Sequence, residues 1–189
     1  RMITRAQREK NQMPVLTLVG YTNAGKSTLL NTLTQSEETA EDKLFATLDP
    51  TTRRFRLEDI DVLLTDTVGF IQQLPHSLVS AFRATLEEAR FANLLIHVID
   101  ASHPEFEQQI KTVQKVLAEI GCEGKPIVYV FNKIDKSIDT IELQHYLTQY
   151  APAVFISAKN GIGLVELKKA LFSALPSPMV KAAFKLPIT

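Results

Sequence analysis

The sequence predicts an α/β protein: about six strands, mostly parallel, with helices on both faces of the sheet. Three observations carry this expectation. Short apolar runs alternate with stretches whose apolar residues recur at helical spacing. Polar motifs gather where the apolar runs end, which is where open α/β sheets bind their ligands. One connection, Glu58-Asp59-Ile60-Asp61, is too short for a helical crossover, so one strand must lie antiparallel to its neighbour.

The elements follow in order. Val15-Leu16-Thr17-Leu18-Val19 reads as a buried strand, and Ser27 to Leu33, with leucines at 29, 30 and 33, as the helix after it. Gln35 to Lys43 is polar and acidic and reads as a solvated loop. Strands near Arg53–Leu57 and Val62–Asp66 form the hairpin. Leu78, Phe82, Leu86 and Ala89 place an amphipathic helix over His76 to Phe91. Leu94 to Ile99 is a central strand, and its His97, with no metal-ligand spacing around it, reads as a core histidine. Ile110, Val113, Leu117 and Ile120 mark the next helix face, Pro126–Phe131 the next strand and Val154-Phe155-Ile156 the last one. Leu164, Leu167 and Leu171 mark the closing helix.

A chain of 189 residues suits one domain of ordinary size, and 45% hydrophobic with 22% charged residues is a globular composition. Lys plus Arg equals Asp plus Glu, 21 each, so no whole-domain charge draws it to nucleic acid or a membrane surface. The lone Cys122 rules out an internal disulfide and fits a reducing compartment. No apolar run reaches the ~20 residues of a membrane helix. A cytoplasmic protein is expected. Residues 1–13, polar and basic, read as the remnant of a linker helix from a missing N-terminal domain, or as a plain disordered terminus. Residues 14–175 form the expected domain, and 176–189 a C-terminal tail or the start of a further segment.

Gly20-Tyr21-Thr22-Asn23-Ala24-Gly25-Lys26-Ser27, followed by Thr28, fits G-x-x-x-x-G-K-[ST] between a strand and a helix. Glycines let the backbone turn so that successive N–H groups point at phosphate oxygens, and the helix N-terminus adds positive potential. Lys26 would reach the outer phosphates as a catalytic residue, and the Ser27 hydroxyl would ligate Mg²⁺. A glycine turn that merely carries Lys-Ser is the competing reading. The motif points to a nucleoside phosphate without choosing the base.

Asp66-Thr67-Val68-Gly69 ends a strand, 40 residues after Lys26. A carboxylate at the end of an apolar strand is costly to desolvate without a partner. Asp66 is therefore expected to hold Mg²⁺ through water, and the Gly69 N–H to meet the γ-phosphate. Asn132-Lys133-Ile134-Asp135 is the base-reading element. Guanine presents N1–H and N2–H₂ as adjacent donors, and the Asp135 carboxylate can accept both. Adenine offers an acceptor at N1 and would leave that charge unpaired. Asn132 would brace the loop, the Lys133 stem would lie over the base, and Ile134 completes the segment. In Ser157-Ala158-Lys159 the Ala158 N–H is expected to donate to guanine O6.

The order GYTNAGKS, DTVG, NKID, SAK resembles the translation-factor-like branch of P-loop GTPases, which implies a Ras-like G domain. Phe45-Ala46-Thr47-Leu48-Asp49-Pro50-Thr51-Thr52, DTVGFI and Leu74-Pro75-His76 narrow the resemblance to the GTPase domain of the HflX family, over residues 14–175. That resemblance implies GTP and GDP binding, slow partner-stimulated GTP hydrolysis, and action on the large ribosomal subunit, in splitting or rescue of stalled ribosomes. The switches would lie around residues 37–52 and 69–78, with Phe45 to Asp49 at the nucleotide and Thr47, 20 residues after Ser27, completing the Mg²⁺ ligands. Thr51 and Thr52 are the alternatives, with a plainer role in opening the next strand.

Phe70 stands where many such proteins place the glutamine that orients water. An aromatic ring cannot polarise water, so a partner acting in trans is expected. Gln72, Gln73, Arg53 and Arg54 are weaker substitutes, better read as solvated residues. Asn23 suggests K⁺ as a second cofactor, as in related GTPases with asparagine there, against a simple loop-bracing role. A monomer is expected. The rival functions are a nucleotide-sensing module with negligible turnover, a GTPase serving tRNA modification or ribosome assembly, and, more distantly, a small-molecule kinase.

Overall fold

The computed structural model describes residues 13–34, 52–67, 69, 86–136 and 139–176. Strand β1 (Val15–Val19) is followed by helix α1 (Lys26–Thr34). Strands β2 (Thr52–Leu57) and β3 (Ile60–Asp66) form the hairpin, and β4 (Leu94–Asp100) precedes helix α2 (Phe106–Glu119). Then come β5 (Ile127–Asn132), α3 (Thr140–Gln149), β6 (Ala153–Phe155) and α4 (Leu164–Ala174). Residues 86–91 are helical, as the Leu86 and Ala89 spacing predicts; Leu78 and Phe82 lie outside the described residues.

The sheet has six strands in the order β2-β3-β1-β4-β5-β6. Only the β2–β3 pair is antiparallel among its named pairings. The hairpin is tighter than the sequence suggests. Leu57 pairs with Ile60, so Glu58 and Asp59 alone make the turn, with Glu58 at φ 51°. β2 alternates exposed and buried residues, as an edge strand should, whereas every residue of β4 before Asp100 is buried.

Two apolar layers hold the sheet. On one face α1 and α4 pack Leu29, Leu30, Leu33, Leu167 and Leu171 against Leu16, Leu18, Val62, Leu64, Ile96, Val98 and Val130. On the other, Leu86 and Ala89 join Val113 and Leu117 of α2 over Val19 and Leu95. α3 completes that face with Leu143, Tyr146 and Tyr150 against Tyr129 and Phe131. Residues pointing to opposite sides of one strand thus serve different layers.

Helix α3 is an element the sequence reading passed over. Its segment is short, and Ile141 remains 80% exposed, which blurs the apolar stripe. The missed signal was Asp139, whose carboxylate accepts from the Ile141 N–H at 2.9 Å as an N-cap. His97 is a core residue, buried on β4 beside Tyr129 with Nδ1 lacking a hydrogen-bond partner. Burial, helped by the charge of Lys26, lowers its pKa to about 3, so the ring is neutral.

Candidate nucleotide-binding site

The loop after β1 lies where strand connections diverge, with β3 on one side of β1 and β4 on the other. Its backbone leaves no room for side chains at two glycines. Gly20 has φ +149°, and a Cβ there would sit 2.2 Å from the Val98 carbonyl oxygen. Gly25 has φ +102°, and its Cβ would meet Asn132 Nδ2 at 2.2 Å. Asn23 adopts φ 65° between them. Tyr21 is partly buried, Thr22, Ser27 and Thr28 are exposed, and Ala24 is buried.

Lys26 is 6% exposed, and its ammonium donates to the carbonyls of Gly20 at 3.0 Å and Tyr21 at 2.9 Å. Burial lowers its pKa to about 8, against the opposing pull of Asp66. A phosphate beside it would raise that value again. Nucleotide binding at pH 8 is therefore expected to take up a fraction of a proton, and binding at pH 6.5 almost none. Calorimetry of GDP binding in buffers of different ionisation enthalpy reads this directly. Equal heats in all buffers at pH 8, once corrected for the nucleotide's own protons, would contradict it.

Ser27 Oγ donates to Asp66 Oδ2 at 2.8 Å, while Asp66 Oδ1 is buried without a hydrogen-bond partner. A hydroxyl and a carboxylate with a spare oxygen beside the phosphate loop form a donor set suited to Mg²⁺. Two protein oxygens are too few for a closed site, so phosphate oxygens and water would supply the rest. Thr67 Oγ1 donates to the Leu18 carbonyl at 2.6 Å and pins the end of β3 to β1. Gly69 approaches the phosphate loop closely; a Cβ on it would lie 2.7 Å from Thr22 Cα. Phe45, Ala46, Thr47, Leu48, Asp49, Val68, Phe70, Gln72 and Gln73 lie outside the described residues. So does Thr51, while Thr52 opens β2 and pairs its hydroxyl with Thr65 at 2.9 Å.

Asn132 joins three loops. Its Nδ2 donates to the Ala24 carbonyl at 2.9 Å, and its Oδ1 accepts from the Ala158 N–H at 2.9 Å, all of them buried. The Ala158 N–H, expected to face guanine O6, is thus engaged by Asn132, because the amide lies directly across from it. Ala158 is also held from below, since Thr32 Oγ1 of α1 donates to its carbonyl at 3.0 Å. Asp135 is exposed, and Ser157 Oγ donates to its Oδ1 at 2.6 Å. That bond, outweighing slight desolvation, holds the carboxyl below the usual range and keeps it ionised. Ile134 donates its N–H to the Ile156 carbonyl at 3.2 Å, tying the NKID and SAK turns together, and Lys159 is exposed.

Arg53 donates to Asn31 Oδ1 at 2.7 Å and Thr34 Oγ1 at 3.2 Å, and Arg54 and Arg56 both contact Asp61. These arginines are engaged along β2. The sequence reading missed Asp100, the last residue of β4, which lies beside Lys133. The available signal was positional: like Asp66 and Asn132, it is a polar residue ending an apolar strand.

Phosphate loop, strand-end carboxylate and paired NKID and SAK turns on one sheet rim define a P-loop guanine-nucleotide-binding domain. The chain belongs to the 50S ribosome-binding GTPase family, whose profile matches residues 15–133. It is 50% identical to GTPase HflX of Caldanaerobacter subterraneus, over 90% of this chain and 39% of that protein. To GTPase HflX of Escherichia coli it is 45% identical, over 97% of this chain and 43% of that protein. The chain thus spans less than half the length of these curated relatives. A GTP-binding protein of Sulfolobus solfataricus, solved with GDP, is 31% identical with a TM-score of 0.72, covering 90% of this chain and 55% of that one.

Proposed function

We infer that this chain is the guanine-nucleotide switch of an HflX-type protein, hydrolysing GTP to GDP and phosphate in response to the large ribosomal subunit. The observation that carries this reading is the Asn132 bridge, which draws GYTNAGKS, NKID and SAK onto one rim. Residues 14–175 would be the working unit, cytoplasmic and monomeric. Among the described residues no helix is long and apolar enough to cross a membrane.

The chain's own groups divide the work. Asp135 reads the guanine edge, with Ser157 aiming its carboxylate. Gly20 to Thr28 wrap the phosphates with backbone N–H groups, and Lys26 adds a cation whose burial strengthens its pull on developing charge. Mg²⁺, held by Ser27 and Asp66 with Thr47 closing the shell, would neutralise charge on the β- and γ-phosphates. Gly69 would donate its N–H to the γ-phosphate, as the contact of the DTVG turn with Thr22 allows. Water attacks the γ-phosphorus, the bond to the β-phosphate oxygen breaks, and positioning supplies most of the acceleration. Phe70 leaves that water without a glutamine partner, so the ribosome would complete the site. Splitting or rescue of stalled ribosomes is the use proposed for the switch.

The test is phosphate release from GTP with and without purified large ribosomal subunits, with ATP as control. Stimulation of ten-fold or more, with GTP alone, is the expected result. Tight GTP binding without stimulation, by both this chain and a full-length relative, would remove the ribosomal reading. Running the stimulated assay in K⁺ and in Na⁺ tests Asn23 as a cation ligand: K⁺ should be faster, and equal rates would remove that role.

A further inference from the structure

Parallel pairing of β4 with β5 sets Asp100 opposite Asn132, the residue before Lys133. Both strands end there, so two side chains of opposite charge emerge side by side. Lys133 Nζ lies 2.7 Å from Asp100 Oδ2 and also donates to the backbone carbonyl of Asn23 in the phosphate loop. The other carboxylate oxygen, Asp100 Oδ1, accepts from the Ser102 N–H at 3.0 Å and from the Ser102 hydroxyl. The carboxylate is therefore held on both sides, in a pair whose side chains are only 15% and 22% exposed.

Backbone conformation adds a second observation. Lys133 has φ 69° and Asn23 φ 65°, and the left-handed region is uncommon for residues other than glycine. Such conformations persist where surrounding contacts over-determine them. The two left-handed residues are joined to each other by the Lys133 ammonium, and that ammonium is aimed by Asp100.

Charge supplies the third. A carboxylate on a rim built to receive phosphates would repel them if its charge were free. Burial pushes the Asp100 carboxyl up, but the hydrogen bonds from Lys133 and Ser102 and the ammonium charge outweigh it and hold the group below the usual carboxylate range. Asp100 is thus ionised and spent on Lys133. Its natural role is to fix a lysine whose stem would cover the base while its head holds the phosphate loop.

Resting on the guanine-nucleotide reading above, we propose that Asp100 is a positioning residue that locks the Lys133–Asn23 strut and thereby sets how long the nucleotide stays bound. It acts through Lys133 and touches neither the reacting phosphate nor the attacking water. Loosening it frees the phosphate loop and the base cover together, so nucleotide escape accelerates.

The experiment is the dissociation rate of a fluorescent GDP analogue from the whole chain and from Asp100→Asn, Lys133→Met and the double variant. Asp100→Asn keeps the shape and the Ser102 contacts while removing the charge, and should speed dissociation about ten-fold. Lys133→Met should do at least as much. The double variant should release the analogue no faster than Lys133→Met alone, since the aspartate has nothing left to position and its unpaired charge is gone. A general loss of packing would instead multiply the two effects, which overturns the proposal, as does an unchanged rate in Asp100→Asn. Should Asp100→Asn fail to melt cooperatively, Ser102→Ala loosens the same carboxylate and should speed release two- to three-fold; no change would overturn the proposal equally. If the parent chain shows no saturable GDP binding, the nucleotide reading itself fails, an outcome distinct from all of these.

Discussion

Replacing Asp135 by Asn is expected to cut GDP and GTP affinity by about 10³-fold or more while creating affinity for xanthine nucleotides. The carboxylate is acceptor-only, and both of its oxygens suit the two donors on the guanine edge. An amide in its place turns one acceptor into an NH₂ donor that opposes the guanine amino group. Xanthine carries a carbonyl at that carbon, so the amide's donor and acceptor then match its edge. The Ser157 hydroxyl can donate or accept and would hold the amide as it holds the acid. Because Asp135 is exposed, the substitution should leave the thermal melting of the chain essentially unchanged. Titrations with GDP, XDP and ADP decide the matter. A variant that still prefers GDP over XDP would show that Asp135 does not read the base.

Asn132→Ala is expected to do the opposite: large damage to the fold together with the site. Its side chain is 3% exposed and supplies both a donor and an acceptor to buried backbone. Truncation strands the Ala24 carbonyl and the Ala158 N–H, two buried polar groups that lose their side-chain partner. Each orphan costs about 1–3 kcal/mol, so a loss of about 3 kcal/mol in total is expected. For a domain of this size that is a fall in Tm of roughly 6–12 °C. GDP affinity should fall by about 100-fold as the phosphate and base loops lose their common brace. Asn132→Asp is the informative companion. It keeps the acceptor for Ala158 but turns a charge toward the Ala24 carbonyl, so it should be no better than alanine. Thermal melting beside GDP titration checks both, and a variant with parental Tm would mean that the bridge contributes nothing to the fold.

The two variants separate what is readable in a sequence from what is not. Asp135 could be put forward from the sequence because its chemistry is local: a strand, a turn and a carboxylate at fixed spacing suffice to propose the base it suits. The glycine loop was legible for the same reason, since Gly20 and Gly25 announce backbone that no side chain can share. The six strands and the single antiparallel hairpin could be read because burial writes itself as runs and alternation, and because a connection of about four residues cannot span a crossover.

Contacts between distant segments were not legible. Asn132 was expected to brace its own loop, but nothing in its neighbours says that it reaches Ala24, 108 residues away, or takes the N–H of Ala158. Asp100 lies one residue beyond the strand read as Leu94 to Ile99 and drew no reading at all. Its partner became visible only once parallel register set β4 beside β5. Helix α3 escaped because its apolar stripe is interrupted by an exposed isoleucine, and packing against Tyr129 and Phe131 stabilises it more than its own pattern suggests.

By itself, then, the sequence determined the described elements other than α3, the class of ligand and the candidate residues for local chemistry, because periodicity, backbone freedom and donor–acceptor patterns act over a few residues. The tertiary structure alone decided which of those residues hold one another: Asn132 between two loops, Asp100 against Lys133, Ser27 against Asp66. Hydrogen bonds and ion pairs act over about 3 Å of space, and strand order, which no local pattern encodes, sets who comes within that distance.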